Sequence, residues 1–253
     1  MATGLLVEYG DPMSRFPGAE IGADELPDEV HLLADRIESI TGKDVYFIDG
    51  RRHRFETGQL PPGMPPPPVS GPPAGPDIVV FVNPEGTDPQ LLSASVRRFL
   101  VQALLVWEGY PLAGLRPGTP DAAAAAKLAP VIGPMQHWLH TGLLAMATEH
   151  RMAELAATPP EPRRASRLPP FQAPPEVRTK LVAFESAMGA SVHDGPLSPE
   201  ARAVTEVLQK ADLGTPAGFR AAFAGILDLW DIRGHVMLGV ADKESGAISE
   251  SAW

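Results

Sequence analysis

The 253-residue sequence contains no cysteine. That excludes disulfides, thiolate metal centres and a cysteine nucleophile together. Cations are scarce as well: 21 Lys and Arg stand against 31 Asp and Glu, a formal net charge of -10. Nonspecific nucleic-acid binding depends on many Lys/Arg–phosphate contacts, so no nucleic-acid partner is expected. No apolar run approaches the roughly 20 residues that cross a bilayer. The opening MATGLLVEYGDPMSR has no basic segment followed by an apolar core, and so reads as no signal peptide. A cytoplasmic protein without a membrane partner is the default expectation.

Several catalytic patterns are also missing. Neither GxGxxG nor GxxxxGK[ST] occurs, which leaves nucleotide binding without support. Ser191-Val192-His193-Asp194 sets three triad residue types side by side, but triads assemble from separated positions around a strained nucleophile turn, and no GxSxG is present.

What is abundant is proline, 29 residues gathered mainly in two stretches. Residues 57–76, TGQLPPGMPPPPVSGPPAGP, cannot pack as a helix or a central strand. They read as an exposed loop joining two strands, in preference to a ligand for Pro-binding domains. Residues 158–175 form a second Pro-rich segment, a linker. The expected organisation is therefore a core over 1–157, this linker, and a helical extension over 176–253 that packs on the core.

The central stretch runs from Asp77 to Pro111. Ile78-Val79-Val80-Phe81-Val82 is an unbroken, largely β-branched apolar run, as expected of a buried strand. A turn follows, then a helix over 89–108 capped by Thr87 or Asp88, with Pro89 in its first turn. From Phe99 to Trp107 its one polar side chain is Gln102, so it belongs in the middle of the fold.

Around this centre the pattern predicts a strand at Leu5–Tyr9, a helix from Asp24 to Ile40 with a Val30, Leu33, Ile37, Ile40 stripe, and a strand at Val45–Ile48. His53–Glu56 reads as a hairpin return after Asp49-Gly50. Beyond the central helix come a loop at 114–120, a short Ala-rich helix at 121–128 and, past Pro130 and Pro134, a longer one over 135–155. Three more helices follow over 175–188, 199–211 and 216–230; the last two open on Ser198-Pro199 and Thr215-Pro216. Val236–Val240 reads as a strand or buried coil, and the tail after it as loosely held. The class is α+β: a small sheet packed on a central buried helix, then a mainly helical C-terminal part.

The order helix, strand, loop, strand, buried helix resembles the core of zincin-like metallopeptidases over roughly residues 25–150. Leu104-Leu105-Val106-Trp107-Glu108-Gly109-Tyr110-Pro111 resembles the end of their active-site helix and its exit loop, and Gln136-His137 is similar to a QH found in some of these families. The resemblance implies a strand leading into a helix that carries HExxH, whose histidines hold zinc while the Glu polarises water. Here that motif is absent. Between Gln90 and Pro111 no histidine occurs, and the helix offers Arg97, Arg98, Gln102 and Glu108 as its polar groups. No catalytic role carries over to any residue.

The remaining metal candidate is His137-x-x-His140, an i, i+3 pair on one helical face. Zinc there needs a further ligand from His31, His53, His193, Asp194 or His235, since Glu149-His150 does not share that face squarely. The plainer alternative, preferred here, makes both histidines ordinary half-buried residues flanking Trp138. Arg51-Arg52-His53-Arg54 and Arg163-Arg164-Ala165-Ser166-Arg167 read as solvated surface, the latter also having the form of a basophilic kinase site. Helices 199–211 and 216–230 have the outline of a helix-turn-helix, but the second carries Arg220 as its sole base among Phe219, Phe223, Ile226, Leu227 and Trp230. It reads as a core or partner-facing helix.

The leading expectation is a non-catalytic zincin-like protein that binds a partner or ligand, with a protein partner or self-association open. The alternatives are a metal-dependent hydrolase using His137 and His140, and a structural or interaction protein of unrelated fold.

Overall fold

The computed structural model describes residues 20–53, 67–72, 74–116, 122–155, 174–189 and 197–253, without the side chains of Ala23 and 122–130. The fold is α+β, and it divides into two compact units. The first takes in the chain up to Trp107 together with Asp242–Ile248; the second takes in Glu108–Ala241 and Ser249–Trp253. The division therefore falls at the end of the central helix, not at the Pro-rich linker.

In the first unit, helix α1 spans Asp28–Thr41. It begins later than the sequence pattern predicts because of Pro27. Proline pushes the residue before it out of the helical region, and Leu26 is indeed extended, at φ -119° and ψ 139°. A short 3-10 turn over Ala23–Glu25 stands alone, and the helix starts afresh after Pro27. Val30, Leu33, Ala34 and Ile37 form its buried face, while Ile40, 37 % exposed, falls off it. Gly42 ends the helix in the left-handed conformation, its N–H on the Glu38 carbonyl.

Strands β1 (Val45–Asp49), β2 (Val69–Ser70) and β3 (Ile78–Val82) form a sheet in the order β1-β3-β2. β1 runs parallel to β3, Val45 opposite Ile78 and Asp49 opposite Val82, whereas β2 is antiparallel. Every residue of β3 is buried, as its continuous apolar run requires of a middle strand. β2 adds a two-residue edge inside the Pro-rich loop, which fits the confinement of proline to sheet edges. β1 is bordered on its other side by Glu20, which bridges Ile48; His53 lies in no strand. Residues 54–56 of the suggested hairpin, and the strand suggested at Leu5–Tyr9, lie outside the described residues.

Helix α2 spans Pro89–Trp107 and packs on α1, β2 and β3. The Asp88 carboxylate accepts the N–H groups of Gln90 and Leu91, so Asp88 is the cap. Leu92, Val96, Leu100, Val101, Leu104, Leu105 and Val106 are buried.

The second unit holds strand β4 (Leu112–Leu115), helices α3 (Ala122–Glu154), α4 (Pro175–Ala187), α5 (Pro199–Lys210) and α6 (Pro216–Leu229), strand β5 (Val236–Ala241) and, from Ser249 on, strand β6 (Ile248–Ser251). β4 and β5 are antiparallel in a sheet ordered β4-β5-β6. α3 packs on β4, α4 and α6; α5 packs on α4 and α6. Ser198 and Thr215 each accept an N–H from the first turn of the helix they open, as their Ser/Thr-Pro starts imply.

Two expectations fail here. α3 runs unbroken through Pro130 and Pro134 where two helices were expected. An interior proline costs about 3 kcal/mol. Burying Ile132, Met135, Leu139, Leu143 and Met152 stabilises by roughly 1.5–3 kcal/mol each, which outweighs two prolines. The tail, expected to be loose, is held: β6 pairs with β5, and the Trp253 ring stacks on Phe223 with centroids 6.2 Å apart. The Arg233 guanidinium lies 4.9 Å from the centre of the same indole.

Candidate functional site

In α2, the helix that would bear HExxH in the resembled family, two polar side chains are tied to α1. The Ser93 hydroxyl donates to Glu29 of α1 at 2.7 Å, and Arg97, its side chain 11 % exposed, reaches the same carboxylate oxygen at 3.6 Å. These groups tie α2 to α1.

In the second unit several chemically capable groups surround the turn Glu108-Gly109-Tyr110-Pro111. Each of its residues is held from elsewhere in that unit. Arg151 of α3 binds the Glu108 carboxylate through one terminal nitrogen and Glu154 through the other, the latter at 2.8 Å. Arg220 of α6 donates to the Gly109 carbonyl at 3.2 Å. Gly109 has φ +96°, a conformation that favours glycine. The Tyr110 hydroxyl donates to the Leu213 carbonyl at 3.0 Å, its ring edge-on to Phe219 at 5.6 Å. Burial, reinforced by the carboxylates of Glu108, Asp212 and Glu154 and opposed by Arg151, pushes the Tyr110 phenol up to about 12. It is a neutral donor across the physiological range.

The last clasp bears on the metal candidate. His140 Nε2 lies 2.9 Å from the Pro111 carbonyl. A carbonyl only accepts, so this nitrogen carries the proton and donates it. The imidazole is edge-on to Phe219 at 5.8 Å and to Phe223 at 6.0 Å. Desolvation holds its pKa below the ordinary histidine value; the Pro111 carbonyl opposes this and nearby His137 adds to it. A protonated Nε2 has no lone pair for a metal, which leaves Nδ1 as the ring's one possible ligand atom. His137, one turn away, is exposed.

His31 sits in the first unit, edge-on to Phe47 at 5.8 Å, and His235 is in a 3-10 turn ahead of β5. His150 Nδ1 lies 3.6 Å from Glu154. His193 and Asp194, like Ser191 and the Arg163–Arg167 segment, lie outside the described residues. Among the described residues no group of three or more His, Cys, Asp or Glu is placed to hold a metal ion. Of the other basic cluster, Arg51 pairs with Asp49 at 2.8 Å and Glu25 at 3.1 Å, and Arg52 lies 3.7 Å from Asp49.

α6 is a core helix. Phe219, Ala222, Phe223, Ile226 and Leu227 are buried, and its one base turns to the Gly109 carbonyl. The turn that leads into α6 is tight: a Cβ on Gly218 would stand 1.9 Å from the Asp212 carbonyl oxygen. Sequence reasoning overlooked Arg151 altogether, and noted Arg220 only as an isolated base. Its isolation on an apolar helix was the one available signal, because a lone guanidinium there needs an inward partner.

No protein-family pattern matches this chain, and no curated protein or solved structure is significantly similar to it. Among the described residues no helix is long and apolar enough to cross a membrane.

Proposed function

We propose that this is a non-catalytic protein with a zincin-like α+β core, acting by binding a partner or ligand. The observation that carries the reading is the missing motif, since α2 holds no histidine, and the turn at Pro111 supports it: the more enclosed of the two candidate histidines gives its Nε2–H to a backbone carbonyl. The rest of the turn supports it. Glu108, Tyr110, Arg151 and Arg220 all direct polar groups into holding the chain. In α2 no histidine occurs, and Ser93 and Arg97 serve the packing of α1. A peptidase ancestry of the fold would then leave a rigid frame without its water-activating centre.

Elemental analysis of the purified, tag-free protein beside a His137→Ala/His140→Ala double variant tests this. The reading expects no stoichiometric transition metal in either sample. Stoichiometric zinc in the parent, lost in the variant, overturns it in favour of a metal-dependent hydrolase.

A further inference from the structure

Arg97, Arg116, Arg151 and Arg233 each meet a carboxylate. Arg220 meets none among the described residues. Its side chain is half-buried on α6, its sole hydrogen bond is the 3.2 Å contact with the Gly109 carbonyl, and its Nε is buried without any partner. Across the same turn, Arg151 also keeps a buried Nε–H unpaired, although its terminal nitrogens are occupied by Glu108 and Glu154. A guanidinium offers five donors in a fixed plane and cannot shed its charge. Enclosing one without a counter-charge is costly, and a buried donor left unpaired adds to that cost. Water can fill a donor's vacancy but does not balance the charge.

We infer that Arg220 is the anchor of an oxyanion-binding site beside the Glu108–Pro111 turn, receiving a carboxylate or phosphate group of a ligand. The edge formed by its two terminal nitrogens matches two oxygens of either group. Glu108 does not oppose the anion strongly, because Arg151 already neutralises it. This inference rests on the ligand-binding reading and names the chemistry that such a ligand would present.

The test is thermal unfolding of the full chain in tens of millimolar sodium phosphate, sodium acetate or sodium chloride at matched ionic strength, with Arg220→Gln and Arg220→Lys alongside. Phosphate, acetate or both are expected to raise the wild-type Tm by roughly 2 °C or more above chloride. The responding salt identifies the anion class. Arg220→Gln should lose the rise, and Arg220→Lys, which keeps charge without the two-nitrogen edge, should show less than half of it. A rise no larger than that in chloride, or an equal rise in Arg220→Gln, means an adventitious ion only and overturns the site. If the Gln variant does not fold, a Lys variant that responds like wild type overturns it as well. A flat salt series leaves the non-catalytic reading standing, whereas zinc found by elemental analysis overturns that reading itself.

Discussion

His140 and Pro111 are joined by a 2.9 Å hydrogen bond that fastens the middle of α3 to the strand-entry turn ahead of β4. The bond divides two histidines that look equivalent in sequence. One is structural and the other faces solvent, so their replacements should differ sharply.

His140→Ala removes a buried donor, orphans the Pro111 carbonyl and opens space against Phe219 and Phe223. A loss of about 2 kcal/mol is expected. His137→Ala, at an exposed position, should stay within about 0.5 kcal/mol. Denaturant titration of the two single variants checks this. Equal losses would contradict the division of roles.

Two buried groups should give opposite pH dependences. The His140 pKa is depressed in the fold, so the unfolded chain takes up its proton first. Stability is present above the ordinary histidine value and is lost as pH falls through that value toward the folded one. Glu185 on α4 is buried with Oε1 unpaired, and burial raises its pKa. It favours the fold below the ordinary carboxyl value, and that contribution is lost as pH rises through the folded value. Glu185→Gln should therefore stabilise at pH 7, by about 1 kcal/mol, with the gain vanishing near pH 4. Stability measured across pH 4–8 in the parent and this variant checks both signs.

The unbroken α3 predicts an unusual outcome for Pro134→Ala. The substitution restores a backbone donor and relieves crowding in the preceding turn, worth about 3 kcal/mol, while freeing the unfolded chain costs about 1 kcal/mol. Tm should rise. A fall would show that the chain needs a break at this position.

The sequence pattern made most of the fold legible where local chemistry and tertiary packing agree. The all-apolar β3, the Asp88 cap of α2 and the Ser/Thr-Pro starts of α5 and α6 are of this kind. It failed where distant partners decide. β4, with a glycine among its four residues, is a strand because β5 lies beside it, a pairing across more than a hundred positions. Pro130 and Pro134 are tolerated because α3 has β4, α4 and α6 to bury its apolar face against. At the site, the pattern located His140 and the Glu108–Pro111 turn as separate features. Only folding shows that they are partners, because no spacing rule links a helical histidine to a carbonyl 29 residues earlier.

Trp253 shows the same limit at the other end of the chain. Its indole has no local reason for order and owes it to Phe223 and Arg233. Trp253→Ala should cost about 1–2 kcal/mol and move its emission-based unfolding signal to the remaining tryptophans.

The protonation of the His140 ring is the most direct test. Long-range proton–nitrogen NMR of the ¹⁵N-histidine-labelled protein reads which ring nitrogen carries the proton, with and without one equivalent of zinc. The expected result is a neutral Nε2–H imidazole at His140 whose signals do not move when zinc is added. Joint shifts of His137 and His140 to the metal-bound range at stoichiometric zinc would contradict the account.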